Sequence, residues 1–251
     1  PQFASVAYFM HEMNVRKRQV LCNLNNSAVK VQAGAMQWSA GRVDSETGVK
    51  GVGDFLGKAI KGAVTKESAV KPIYQGSGFL MLEPTYRYII LEDISKWESG
   101  IVLDDGLFLA CDASLSEKTV ARSNVSSALL GGEGLFNLSL YGQGIAALES
   151  PVPREELIEI EVQDDIVKID GNMAIAWSAS LQFTVEKSSK SLMGSAINGE
   201  GFVNVYRGTG KILLAPTING TTMSNAHGPQ ESNTTSSKGI VSSVVKSALD
   251  L

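Results

Sequence analysis

"YQGSGFLMLEP" at residues 74–84, "YGQGIAALESP" at 141–151 and "YRGTGKILLAP" at 206–216 together decide the fold. Each places two glycines either side of one residue, continues as an apolar run and stops at proline. The first glycines, Gly76, Gly142 and Gly208, are spaced 66 residues apart. Gly78, Gly144 and Gly210 follow two residues later, and Leu82, Leu148 and Leu214 each lie six residues past the first glycine. Glycine has no Cβ and accepts φ > 0, so Gly-x-Gly inside a strand permits a bulge or a sharp bend. The next residues continue as strand on a new heading, and Pro84, Pro151 or Pro216 ends it where no ladder N–H is needed. Three bends at equal spacing predict three equivalent corners about one pseudo-threefold axis.

The flanking sequence repeats too. "GEGLFNLSLYGQG" from Gly132 matches "GEGFVNVYRGTG" from Gly199, and "DGLFLACDASL" from Asp105 matches "DGNMAIAWSASL" from Asp170. "AGAMQWSAG" from Ala33 is a fainter third relative, which puts Trp38 and Trp177 at similar positions with Cys111 as their counterpart. Small side chains around the two tryptophans suit packing about a common axis. Repeats of this length point to a triplicated module with a shared core.

The units are strands. "SLQFTVEK" alternates Leu181, Phe183 and Val185 with Gln182, Thr184 and Glu186; "LIEIEVQDD" alternates Ile158, Ile160 and Val162 with Glu159 and Glu161. Period 2 marks a half-buried strand, and Gly/Asx clusters every 8–12 residues mark the turns of a sandwich or barrel. The predicted fold is all-β: a three-repeat, pseudo-threefold, β-helix or β-barrel-like body over residues 1–220, with repeats at about 20–84, 85–151 and 152–217. Two segments depart from it. Residues 51–66 carry Phe55, Leu56, Ala59, Ile60, Ala63 and Val64 at helical spacing, an inserted short helix. Residues 221–251 begin as a polar linker and end in a C-terminal amphipathic helix striped by Ile240, Val241, Val244, Val245, Ala248 and Leu249.

The totals exclude several functions. The 251 residues are 43% hydrophobic with net charge −4, and the pI is about 5.3. An acidic chain lacks the basic field that broad nucleic-acid binding requires. The cluster "RKR" at 16–18 reads as a solvated strand end. No apolar run approaches the length of a membrane span, and the opening stretch has no continuous apolar core or cleavage site. With Cys22 and Cys111 the two cysteines present, a reducing compartment and a cytoplasmic location are expected.

No site chemistry is predicted: no catalytic, cofactor-binding or metal-ligating residue, and no cofactor. His11 and His227 lie outside the repeats, and Cys-x-x-Cys is absent. "GQGIAA" after Tyr141 nearly fits a dinucleotide loop, but a β run and a proline follow where a helix should open. "GTGKI" imitates a phosphate loop, yet Val205 and Ile212 stand where Gly and Ser/Thr belong. Glu159 and Glu161 share a strand face, which reads as a solvated face discouraging edge pairing rather than as paired catalytic carboxylates.

Taken together, "GAMQWSAG", "GVGDFLGKAIKGAVTKES", "YQGSGFLMLEP", "DGLFLACDASL", "GGEGLFNLSLYGQG", "VKIDGNMAIAWSASL" and "GEGFVNVYRGTG" resemble the altered-inheritance-of-mitochondria family, in its uncharacterised prokaryotic branch. The resemblance covers about residues 20–217. It implies a β-helical fold of the tryptophan-RNA-binding-attenuation-protein-like kind, built from repeated β units. It implies no established enzyme activity and no catalytic residues; the family's eukaryotic members are associated with mitochondrial biogenesis and inner-membrane organisation.

The function expected is that of a non-enzymatic scaffold or interaction protein. A homo-oligomer is expected, with an unidentified protein partner and a peripheral contact to a membrane surface; no nucleic acid is expected. The rival readings are a small-molecule or RNA-binding module using the β surface, and an enzyme of unknown class.

Overall fold

The computed structural model describes residues 4–9, 17–46, 71–121, 136–171, 173–187 and 202–217. The chain divides into two compact units, Pro1–Thr221 and Thr222–Leu251, and the described residues all lie in the first. The helices predicted at 51–66 and near the C-terminus lie outside the described residues.

The strands are β1 (Ala4–Phe9), β2 (Lys17–Val31), β3 (Met36–Glu46), β4 (Ile73–Leu82), β5 (Tyr88–Asp93), β6 (Ile101–Leu103), β7 (Phe108–Asp112), β8 (Ser116–Ala121), β9 (Phe136–Tyr141), β10 (Ile145–Ser150), β11 (Ile158–Asp170), β12 (Ala174–Ser178), β13 (Gln182–Lys187) and β14 (Phe202–Leu214). Short 3₁₀ turns at Ile94–Lys96 and Arg154–Glu156 complete the secondary structure, and the described residues contain no α-helix. The protein is all-β, as its alternation predicts.

Two antiparallel sheets form. One runs β3-β4-β2-β7-β10-β5 with β1 added on β2; the other runs β11-β14-β12-β6-β9-β8 with β13 added on β14. Neither closes into a barrel, which corrects the barrel-like, self-closing body expected from the sequence. The reason is visible at the ends: β3 is paired to β4 and β11 to β14, and among the described residues each leaves its other edge open.

In the first and last of the stretches that carry a glycine pair, the Gly-x-Gly strand has neighbours on both sides. β4 has β2 and β3 as neighbours; β14 has β11 on one side and β12 with β13 on the other. In the middle stretch the same role falls to β9 and β10, interrupted at Gly142–Gly144: β10 sits between β5 and β7, β9 between β6 and β8. The interruption sends β9 and β10 into different sheets, so this stretch joins the two.

The glycine pairs act as their chemistry demands. All six carry positive φ: 132° and 155° at Gly76 and Gly78, 110° and 153° at Gly142 and Gly144, 116° and 159° at Gly208 and Gly210. A Cβ on Gly78 would collide with the Ala40 carbonyl oxygen, and one on Gly210 would lie 2.6 Å from Ser178 Cβ. Backbone conformation and close approach therefore both require glycine there. The facing strands of the outer stretches bulge to match, between Asn25 and Ser27 and between Val162 and Asp165. Asn26 and Asp164 take left-handed φ of 49° and 50° in these bulges. Their N–H groups donate to the hydroxyl held between the glycines, Ser77 Oγ and Thr209 Oγ1, each at 3.0 Å. Pro84, Pro151 and Pro216 fall just past the ends of β4, β10 and β14, where they remove no ladder donor.

Two seams join the stretches. β2 pairs with β7 (Val29↔Asp112, Lys30↔Cys111, Val31↔Ala110), and β6 pairs with β12 (Ile101↔Ser178, Val102↔Trp177, Leu103↔Ala176). The cores follow them. Val20, Cys22, Leu80 and Leu82 are covered by Ile89, Leu109, Ala110 and Ala147; Ile90, Leu140 and Leu148 are covered by Ala176, Leu213 and Ala215. The interior of the first stretch is thus covered by residues of the second, and that of the second by residues of the third. Burying one such leucine completely contributes about 2–3 kcal/mol. The third core centres on Trp177, Phe183 and Tyr206, whose ring centroids lie 5.2–5.3 Å apart.

Candidate functional site

A cleft of about 450 Å³ opens at the bend of β14, where Thr209, Gly210 and Lys211 face the Lys96–Ser99 turn. Ser178 and Ser180 form its floor, and Glu159, Glu161 and Gln163 of β11 its far wall. The hydroxyls are engaged within the fold. Ser178 Oγ accepts the Lys211 N–H at 2.9 Å, and Ser180 Oγ donates to the Thr209 carbonyl at 2.8 Å. The Ser180 N–H donates to Ser99 Oγ at 3.0 Å, tying the turn to the bend.

The charged groups form a closed circuit. Lys211 Nζ lies 3.6 Å from Glu159 Oε1, and Arg154 Nη2 donates to Glu159 Oε2 at 3.1 Å. Arg154 Nε is 3.9 Å from Glu92 Oε2; Glu92 Oε1 accepts the Trp97 indole N–H at 2.9 Å; Lys211 Nζ then sits 4.5 Å above the Trp97 ring. Glu92 and Trp97 are buried, so the circuit compensates a carboxylate withdrawn from water. It also clamps the middle stretch to the last. Glu159, read as solvated from its alternation, is exposed, and it also meets two cations, Arg154 of the preceding turn and Lys211 of the neighbouring strand. Arg154 and Lys211 bear no sequence pattern that would have announced this.

Around the middle bend the same scheme returns with different atoms. Asp112 Oδ2 accepts the Ile145 N–H at 2.8 Å and Ser114 Oγ donates to the Gln143 carbonyl at 3.1 Å. Asp112 and Ser178, and likewise Ser114 and Ser180, are 66 residues apart. These polar residues therefore support the bends.

Both cysteines are buried and free. Burial pushes Cys22 up to about 11 and Cys111 up to about 12, so neither is a nucleophile at neutral pH. Among the described residues no group of three His, Cys, Asp or Glu could hold a metal ion, and no helix is long and apolar enough to cross a membrane. His11 and His227 lie outside the described residues. Arg18, of the basic cluster, is occupied: its guanidinium lies 3.8 Å from the Tyr88 ring centroid and donates to the Tyr86 carbonyl.

The tryptophans separate. Trp177 is 3% exposed and Trp38 is 44% exposed. The register explains it: Trp177 opposes Ile212 and Cys111 opposes Ala146, but in β3 the residue opposing Leu80 is Ser39. Trp38 opposes Met81, one position off, and so points to the other face. The expected equivalence of Trp38 with Trp177 is corrected accordingly. With Phe79, 45% exposed, Trp38 forms an apolar surface on the outer side of β3 and β4.

The fold and the internally satisfied bends define an all-β protein of Gly-x-Gly-bent antiparallel strands in two joined sheets. Residues 12–217 match the family described as Mitochondrial biogenesis AIM24, and the chain belongs to that family. It is 30% identical over 198 residues to an uncharacterized protein of Streptococcus pyogenes serotype M6, covering 76% of this chain and 77% of that one. A crystal structure of the Streptococcus pyogenes protein SPYM3_0169 is similar with a TM-score of 0.61 and 26% identity, over 86% of this chain and 94% of that one.

Proposed function

We propose that the protein is a non-enzymatic scaffold made of three copies of one β module stacked in series, which works by presenting surfaces to other macromolecules. The observation that carries this reading is the outer face of the first module. Trp38 and Phe79 stand exposed on paired strands, where Ala110 and Ala176, the counterparts of Trp38 in the second and third modules, are buried. Aromatic side chains held on a rigid sheet are typical anchors of protein interfaces. The polar cleft supports the same reading, because its Glu159–Arg154–Glu92 circuit is committed to joining modules.

Affinity capture with the wild-type chain and with Trp38→Glu/Phe79→Glu tests the proposal. A protein, this chain itself included, that binds wild type and is lost from the variant supports it. Identical capture by both overturns it. The rival reading, a polar small molecule held in the cleft, predicts instead a co-purified ligand in native mass spectra that Thr209→Val releases.

A further inference from the structure

We infer that this chain associates head to tail with a second copy of itself, the outer edge of β3 in one chain pairing with the β11 edge of the next. The inference deepens the scaffold reading by naming one partner and the surface that takes it.

The argument starts from the two seams already formed. In both, a strand of one module pairs with a strand of the following module: β2 with β7, then β6 with β12. The series has two loose ends. β11 occupies in the last module the place of β2 and β6, and β3 occupies in the first module the place of β7 and β12. Among the described residues neither has a neighbour on that edge. Each is half of the same seam, so each is complementary to the other.

Burial says the same. Leu82 and Leu148 are fully buried, while Leu214, at the matching position in the last module, is half-buried. Ile90, facing Leu148, is 4% exposed; Ile158, facing Leu214, is 48% exposed. Val29 and Ile101 are buried, and Val167, their counterpart, is half-buried beside Ile166 at 52% exposure. The last module's interior lacks the cap that the outer faces of modules two and three supply to their predecessors. That cap exists, unused, at the opposite end of the chain: Ala110 and Ala176 are 2% and 0% exposed, and Trp38 at the same register is 44% exposed. The fold therefore displays a donor face and an acceptor face of one interface. Heterologous contacts of this kind build rings when the rotation closes and filaments when it does not.

The register follows from the internal seams. Val29↔Asp112 and Ile101↔Ser178 translate to Val167 opposite Ala40, and the next pairs are Lys168 opposite Ser39 and Ile169 opposite Trp38. Ser39→Cys and Lys168→Cys chains test it, because directly opposed strand residues have Cβ atoms about 5 Å apart. The buried Cys22 and Cys111 supply little background. With copper(II)–phenanthroline as oxidant, a mixture of the two single-cysteine chains should give a covalent dimer, several-fold above either chain alone. The chain carrying both cysteines should give a ladder of multimers. Wild type should exceed the 26.7 kDa monomer mass in solution, and Trp38→Glu/Phe79→Glu should return it to that mass with an unchanged circular dichroism spectrum.

Three results would overturn the inference. One is a doubly substituted chain that oxidises to an internally linked monomer, because the series then closes on itself. Another is equal cross-linking in every mixture. The third is a wild-type monomer at all accessible concentrations; if that monomer still captures a different protein through Trp38 and Phe79, the scaffold reading stands and this inference alone fails.

Discussion

Trp177 and Trp38 are the instructive pair. Both lie in Gly/Ala-rich strands that precede a Gly-x-Gly strand, in sequences alike enough to be aligned. One is packed against Phe183 and Tyr206 with centroids 5.3 Å away; the other is 44% exposed on an open edge. One residue of register separates them, and a period-2 element converts that single step into opposite faces. Inward and outward faces of the sheets are thus built from the same kinds of residue, and pairing alone decides which is which.

Trp177→Ala should have the largest effect on that contrast. It empties the centre of an aromatic cluster and should cost about 3–5 kcal/mol in urea unfolding. Gly78→Ala comes next, since the new Cβ would meet the Ala40 carbonyl oxygen at a φ of 155°. A loss of about 2–4 kcal/mol is expected. Gly142→Ala, with Leu115 Cδ2 at 3.7 Å, meets ordinary contacts and bears mainly the cost of its φ of 110°, about 1 kcal/mol. Equal losses at the two sites would show that close approach does not distinguish the bends.

The thiols give a pH test of intermediate size. Burial raises Cys22 and Cys111 from 9.0 to about 11 and about 12. The folded state holds these protons more tightly than the unfolded one, so the stabilisation is complete below pH 9 and is lost as pH climbs through the folded values. Each thiol should lower stability by about 1.4 kcal/mol per pH unit in that window, and Cys111→Ala should flatten the limb seen in urea titrations between pH 9 and 11.

Ser77→Ala and Thr209→Val should each cost about 1 kcal/mol, by removing the acceptor for the left-handed Asn26 or Asp164 N–H. Matched losses would sharpen the likeness of the outer modules. Trp38→Ala should change monomer unfolding least, by under about 0.5 kcal/mol. A loss near that of Trp177→Ala would erase the comparison altogether.

Much of the fold was legible along the chain. Alternation in 136–141 and 182–187 announced strands, the glycine pairs announced bends, and proline announced where β4, β10 and β14 stop. These features depend on a residue and its immediate neighbours. The candidate cleft was far less legible. Glu92 and Lys211 lie more than 50 residues from the Arg154–Glu159 pair, and the spacing of the four carries no period or motif.

The sequence by itself determined that the chain bends at three glycine pairs within antiparallel strands, because backbone conformation at a residue without Cβ is a local property. Tertiary structure alone decided that the middle bend divides its strand between two sheets, that Trp38 faces outward, and that β3 and β11 end as open edges rather than meeting. Those outcomes depend on register and on which strand arrives beside which. Hydrogen bonding between backbone groups fixes both, and every residue type offers nearly the same backbone groups.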